Sequence, residues 1–379
     1  MRVEVIEERN RFQSLRGEWN GLLEQSAGSC VFLTWEWLHT WWTHFAGRRR
    51  LCLLAVRDGD DLIGLAPLAV SPWRATHFRL FHVLEFLGTG SVGSDYLDII
   101  GRRGREEEVA EALAGFLSRK GTMLELTQVA GDSSLAATVA ARLAGREWTD
   151  ALVRTDVCPF IPLAGHSWES YLTTLGHDHR YNVRRSQRLL ASEFDFRFER
   201  ATTDEQRRAA LGEVVRLHQR RWEARGGSST AFPTPAHLAF HEEFSRLALE
   251  RGWLRLFVLR TNGTAAAAFY GFRHQRRFYF YQSGFDPAYN KYSVGVAMVA
   301  LTIKDAIDEG ADEYDFLHGD EQYKFRWTKD TRELRRLELY PPCLRGRLSR
   351  RAIETDRVAR KLARRVLPPG VVQALVRDR

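Results

Sequence analysis

The run Phe278-Tyr279-Phe280-Tyr281-Gln282-Ser283-Gly284 is followed by a loop, by Ser293-Val294-Gly295, and by a long apolar segment closed at Gly310. Then comes Tyr314-Asp-Phe-Leu-His-Gly-Asp-Glu-Gln-Tyr-Lys-Phe-Arg-Trp327. Aromatic residues at 278–281 suit a pleated strand. Val296, Val299, Ala300, Ile303 and Ile307 recur at helical spacing. Ser293 is expected to N-cap that helix, and Gly310 to end it. Tyr314, Phe316 and Leu317 then resume a short strand. The order strand, loop, helix, strand describes a crossover whose helix start, at Gly295, presents unpaired amides. Such amides attract an anion, for example a pyrophosphate.

Four pieces of the chain resemble the GNAT-like acyltransferases of the cellulose-biosynthesis type, a branch related to the Fem-type aminoacyl transferases. They are Tyr281-Gln-Ser-Gly-Phe-Asp286, Ser293-x-Gly295, the segment 315–327, and Arg216-Leu-His-Gln-Arg-Arg-Trp-Glu-Ala-Arg-Gly226. The resemblance covers 172–339 well and the first half more loosely. It implies an α/β (α+β) fold of two tandem GNAT-like domains with mixed sheets flanked by helices. It implies acyl-CoA, most simply acetyl-CoA, as donor, with no metal. The oxyanion donor would be strand backbone beside a splay between parallel strands, here 278–284 and 314–317. The family's phosphate loop, Gln/Arg-x-x-Gly-x-Gly/Ala, appears as Tyr292-x-x-Gly295-x-Ala297, with Lys291 beside the missing leading residue. Donor binding is therefore expected at Gln282, Ser283, Gly284, Lys291, Ser293, Val294 and Gly295.

Composition bounds the reading. The chain has 379 residues, 44% hydrophobic and 27% charged, enough for two or three domains with ordinary cores. No apolar run is long enough to span a bilayer. The acidic start lacks the apolar stretch of a secretory signal. Cys30, Cys52, Cys158 and Cys343 show no metal-ligand spacing, which suits a reduced, cytoplasmic protein. The net charge of +8 sits entirely in 345–379, where 11 Lys and Arg face 3 Asp and Glu; residues 1–344 hold 45 of each. A neutral body disfavours a nucleic-acid binder. The tail reads as a basic amphipathic helix, suited to packing on the body or to peripheral contact with an anionic membrane.

A repeat is legible along the chain. In the first half, strands at 51–56 and 62–70 flank Arg57-Asp-Gly-Asp60. A strand at 95–100, a helix from Glu106 ending near Gly121 and a strand at 123–129 follow. In the second half, strands at 254–260 and 265–273 precede the strand–helix–Gly310–strand run. The repeated order predicts two copies of one unit. The domains are expected at 1–163 and 164–344, with the tail at 345–379. The second copy opens its helix on Ser293-Val-Gly295, whereas the first places Glu106, Glu107 and Glu108 there, which repel phosphate. The active site is expected in the second copy. Trp37, Trp41, Trp42 and Phe45 share one helical face and are expected in the core, with a cleft wall as the alternative.

Ligand sites in such sheets lie beyond the carboxyl ends of strands. Asp320 and Glu321 are the expected bases, with His318 next and Tyr323 as an acid or a substrate contact. Lys324 and Arg326 would hold an anionic group. His218, Arg221, Trp222 and Arg225 share a helix face and are expected to line the acceptor pocket. Arg180, Arg184 and Arg188 repeat every four residues and would bind phosphate of a nucleotide-linked or lipid-linked acceptor. The expected activity is acyl transfer, most simply N-acetylation, onto an amine or hydroxyl of a sugar or cell-envelope precursor. Two alternatives stand beside it. One is a Fem-like aminoacyl transferase using charged tRNA, and the other is a non-catalytic scaffold in polysaccharide synthesis.

Overall fold

The computed structural model describes residues 1–72, 82–131, 134–224, 226–227, 231–344 and, in the tail, 346–348, 350–351 and 354–355. The expected basic helix of the tail falls for the most part outside the described residues, as does Arg225.

The first half runs β1 (Arg2–Ile6), α1 (Arg9–Ser14), α2 (Arg16–Glu24), α3 (Trp35–Phe45), β2 (Arg50–Leu51), β3 (Leu53–Asp58), β4 (Asp61–Ala66) and β5 (Leu68–Pro72). It continues with β6 (His82–Phe86), β7 (Ile100–Gly101), α4 (Glu106–Lys120), β8 (Leu124–Ala130), α5 (Leu135–Ala144) and β9 (Thr149–Pro162). The second half runs α6 (Trp168–Thr174), α7 (His177–Glu193), β10 (Phe196–Arg200), α8 (Asp204–Glu223), α9 (Pro235–Glu250), β11 (Leu254–Thr261), β12 (Thr264–His274) and β13 (Arg277–Phe285). A 3-10 turn (Pro287–Tyr292), α10 (Val294–Asp308), β14 (Glu313–Asp315) and β15 (Thr331–Tyr340) complete it.

The duplication is present. The antiparallel pair β3–β4 and the parallel pair β6–β8, bridged by α4, match the antiparallel pair β11–β12 and the parallel pair β13–β14, bridged by α10. Both helices end beside a left-handed glycine, Gly121 and Gly310, which side-chain-bearing residues adopt at a cost. The halves are stitched into one sheet of order β10-β11-β12-β13-β14-β9-β15-β8-β6-β5-β2, beside a smaller sheet β1-β3-β4-β7. The stitching comes from two long strands. The end of β9 pairs with β14, while β15 returns to lie between β9 and β8.

Two expectations are corrected here. Residues 95–100 do not form a strand: only Ile100 pairs, because Tyr96 takes a left-handed φ of 57° and breaks the extended run. Asp98 then turns its carboxylate onto the amides of Leu135 and Ala136, at 3.0 and 2.8 Å, and caps α5. The expected helix near 12–25 is two helices, α1 and α2, meeting at Leu15.

The aromatic stripe of α3 is core. Trp37 and Trp41 are fully buried. The Trp37 ring meets Phe240, Phe244, Phe272 and Tyr281 edge-on, at centroid distances of 4.6–6.1 Å. Trp37 Nε1 donates to Ser94 Oγ at 2.9 Å. Edge-to-face rings add stabilisation beyond burial, and these tie α3 of the first half to α9, β12 and β13 of the second. Among the described residues no helix is long and apolar enough to cross a membrane.

Candidate functional site

β13 and β14 are parallel neighbours only from Arg277 to Tyr279, opposite Glu313 to Asp315. Beyond that β14 stops, while β13 continues to Phe285 along β12. The stop has a local cause: Leu317 adopts φ 57° and its amide folds back onto Asp315 Oδ1 at 2.8 Å. A bulge at Tyr281, where β12 passes from Tyr270 to Gly271 while β13 passes from Gln282 to Phe280, bends β13 away. The two strands therefore splay, as expected.

A cavity of about 450 Å³ fills the splay. Its walls include Gln282 and Ser283 from β13, His218, Arg221 and Trp222 from α8, and His318, Glu321, Tyr323 and Lys324 beyond β14. Nine residues expected at the site thus share one cavity. A second cavity, of about 380 Å³, lies around Tyr96, Asp98 and Arg277 and includes none of them.

His318 carries the electrostatics. Its Nδ1 lies 2.8 Å from Asp95 Oδ1, and its backbone amide donates to Asp95 Oδ2 at 2.8 Å. Asp95 is fully buried and also accepts from Gln128 Nε2 at 3.1 Å. A carboxylate on Nδ1 fixes the proton there and leaves Nε2 as the free acceptor. The hydrogen bond and charge of Asp95 raise the imidazole pKa above its ordinary 6.5. Burial and Lys324 oppose that rise, and Asp156 adds to it. The contact thus stabilises the fold most below pH 6.5, and its contribution fades as pH rises through the folded value. Proton acceptance has the opposite dependence. The acid limb of a kcat–pH profile is expected to have its midpoint above 6.5, and a midpoint below 6.5 would separate His318 from the rate.

Glu321 is placed differently. Burial raises its pKa, but the charge and hydrogen bond of Lys324, 2.9 Å away, more than offset this and leave it lowered. Lys324 is nearly buried. Its ammonium donates to the carbonyls of His318 at 2.6 Å and Leu317 at 3.3 Å, besides pairing with Glu321. Lys324 thus clamps the 317–321 turn while it lines the cavity. Asp320 is exposed and stands outside the cavity wall, as does Arg326. Of the two acids expected as bases, only Glu321 lines the cavity. Asp320→Asn is expected to leave kcat within about twofold of wild type in steady-state assays, as surface changes away from the chemistry do.

On α8, His218 Nε2 accepts from Trp222 Nε1 at 3.2 Å. Burial, aided by Arg221, holds the His218 pKa down to about 4, so this imidazole is neutral near pH 7. The Arg221 guanidinium lies over the Phe285 ring at 5.1 Å. Gly284 lets β13 pass against the backbone of α8: a Cβ there would stand 2.3 Å from the His218 amide nitrogen.

The start of α10 departs from expectation. Ser293 has φ 54° and makes no side-chain capping bond, because it also ends the preceding 3-10 turn. Val294 is buried. A Cβ on Gly295 would come within 3.2 Å of the Phe285 ring, so the glycine lies close against that ring. Asp286 caps the 3-10 turn through Ala288 N and pairs with Arg220. Lys291, Ser293, Val294 and Gly295 lie outside the cavity wall. Arg180 and Arg184 also lie outside it, on α7, which packs on α10 and on this turn. Among the described residues Arg180, Arg184, Arg185 and Arg188 have no carboxylate partner.

Asp95 was not among the sequence candidates. It lies in Gly88-Thr-Gly-Ser-Val-Gly-Ser-Asp95 of the first half, and a glycine-rich run ending in an acid was the available signal.

Comparison with known proteins fits this geometry. Residues 177–325 match the family described as acetyltransferase (GNAT) domain. No match was found among curated protein sequences. Among solved structures, FemX is similar at 12% identity over 89% of this chain and 97% of its own, with a TM-score of 0.61. L-PGS from Bacillus licheniformis is similar at 12% identity over 93% and 96%, with a TM-score of 0.52. At such identity the likeness is one of fold. With the splayed parallel strands and the family match over the same residues, segment 177–325 is a GNAT-like acyltransferase domain, set in a duplicated α/β chain.

Proposed function

We propose that the protein moves an acyl group from acyl-CoA to an amine or hydroxyl of a sugar or cell-envelope precursor, with His318 as general base. The observation that supports this reading is the Asp95–His318 pair at the open end of the splay. In the proposed reaction His318 Nε2 takes the proton of the attacking N–H or O–H. The nucleophile adds to the thioester carbonyl, whose oxyanion meets backbone N–H groups of β13 beside the bulge. Collapse breaks the C–S bond, and Tyr323 gives the leaving thiolate its proton. His218, Arg221 and Trp222 form the acceptor wall. Lys291 and the start of α10 would meet the donor phosphates, and Arg180 and Arg184 a phosphate on the acceptor. The cellulose-biosynthesis likeness of the sequence supports an envelope acceptor.

A second reading, aminoacyl transfer from charged tRNA, is favoured by the four arginines of α7 that have no carboxylate partner among the described residues, because phosphate backbones are bound by such cations. Thermal-shift titration separates the two. A ligand held by the native state raises the apparent Tm. Acetyl-CoA or a longer acyl-CoA is expected to raise it; a rise with aminoacyl-tRNA and none with any acyl-CoA would replace the first reading by the second.

A further inference from the structure

The residues 88–95 that deliver Asp95 have few bonds of their own. Gly88, Gly90 and Gly93 all take positive φ, and the backbone contacts inside the loop are long, with Thr89 N to Phe86 O at 3.4 Å and Gly93 N to Gly90 O at 3.5 Å. A segment of this kind has a large conformational freedom to lose. Its placement is set by side chains reaching in from elsewhere. Trp37 holds Ser94, His237 Nε2 lies 3.0 Å from Ser91 O, and Tyr281 Oη donates to Val92 O at 2.6 Å.

The Tyr281 contact differs from the others in where it leads. Tyr281 is the bulged residue of β13 and lines the splay cavity, so it belongs to the strand that would bear the donor. Val92 is followed by Gly93, whose Cα lies so close to the His318 ring that an added Cβ would stand 3.4 Å from Cε1. Two residues further on, Asp95 holds Nδ1 of the same ring. One hydroxyl on β13 thus holds the peptide that runs past His318 Cε1 and on to the carboxylate at its Nδ1. Burial raises the Tyr281 pKa, so the hydroxyl remains a donor across the working range.

We infer that Tyr281 is a positioning residue: through Val92 it sets the first-half loop so that Asp95 orients His318 toward the splay in the second half. The first half then serves the reaction by supplying this loop, and the bulge in β13 serves to aim Tyr281 at it. The kinetic part of the inference rests on His318 as base; the structural part does not.

The test compares Tyr281→Phe with Tyr270→Phe in the full chain. Tyr270 is fully buried, one ring away at 5.4 Å, and its hydroxyl has no hydrogen-bond partner among the described residues. Two quantities are measured: the His318 imidazole titration by NMR, and the kcat–pH profile with acceptor and donor saturating. The groups facing His318 are Asp95 from the loop, Asp156 from β9, and Lys324 and Glu321 from its own turn. Only the first depends on Val92. Tyr281→Phe is expected to lower the His318 pKa by about 0.5 or more, since part of an opposite charge is withdrawn. The acid limb of kcat would move to lower pH by the same amount. The plateau is expected to drop by about tenfold to a hundredfold, as a misplaced base does. KM for the donor stays within about twofold of wild type. Tyr270→Phe is expected to change neither quantity.

An unchanged His318 titration in Tyr281→Phe would overturn the inference, as would equal shifts in both variants, which would mark a general packing effect. A lowered His318 pKa with an unchanged rate would uphold the positioning role and instead remove His318 as the base.

Discussion

His318→Gln is expected to lower kcat by about 10²–10⁴-fold, the range a positioned general base contributes. Glutamine nearly fills the imidazole volume, and its amide can still donate to Asp95. What it lacks is a nitrogen that accepts a proton. The donor site, whether at β13 or at the start of α10, is untouched by the change, so KM for the donor should stay within about threefold. Circular dichroism and Tm would establish that the variant folds. A variant that folds and turns over at the wild-type rate would end the case for His318. The role would then pass to Glu321, whose lowered pKa makes it the weaker base at neutral pH. The Asp95–His318 pair separates these two candidates, because it raises one pKa while Lys324 lowers the other.

Gly284→Ala should produce the second large effect, and chiefly on stability. The added methyl would meet backbone: the His218 nitrogen at 2.3 Å, the Leu217 carbonyl carbon at 2.5 Å and the His218 Cα at 2.8 Å. A side chain in the way can rotate, but here α8 itself must move off β13. Overpacking of this kind costs about 1–3 kcal/mol, which for a chain of this size lowers Tm by roughly 1–4 °C. Because α8 carries His218, Arg221 and Trp222, its displacement should also impair acceptor KM. Gly212→Ala is the matched control. Gly212 is an exposed interior residue of the same helix with nothing within 4 Å of its added Cβ, so alanine there should be neutral or stabilising. Calorimetry on the pair decides. A Tm for Gly284→Ala within 1 °C of wild type would mean that the strand and the helix are not in this close contact.

Both predictions fall on residues that the sequence singled out, though for partly different reasons. The glycine at 284 was expected at the donor site, and in the fold it permits the close approach of β13 to α8. The histidine was ranked behind two acids because a crowd of Asp320, Glu321 and His318 carries no local sign of which one faces the cavity. Ser293 misled in a similar way. A serine before an apolar helix is a fair N-cap signal, but the 3-10 turn ahead of it ends on that same residue and takes its backbone into the left-handed region.

The sequence by itself determined most of the order of elements, the duplication and nine of the residues in the cavity wall. Apolar period, turn glycines and the i, i+3, i+4 spacing of His218, Arg221 and Trp222 act over a few residues. The nearest neighbours along a helix or strand are enough to read them. Tertiary structure alone decided which acid holds His318. Asp95 is 223 residues away, in a glycine-rich loop without regular structure. It reaches the site because β9 and β15 sew the two halves into one sheet and Tyr281 and Trp37 pin the loop across the seam. Those contacts depend on how the two halves join and pack, and no period or spacing in a single strand encodes that packing.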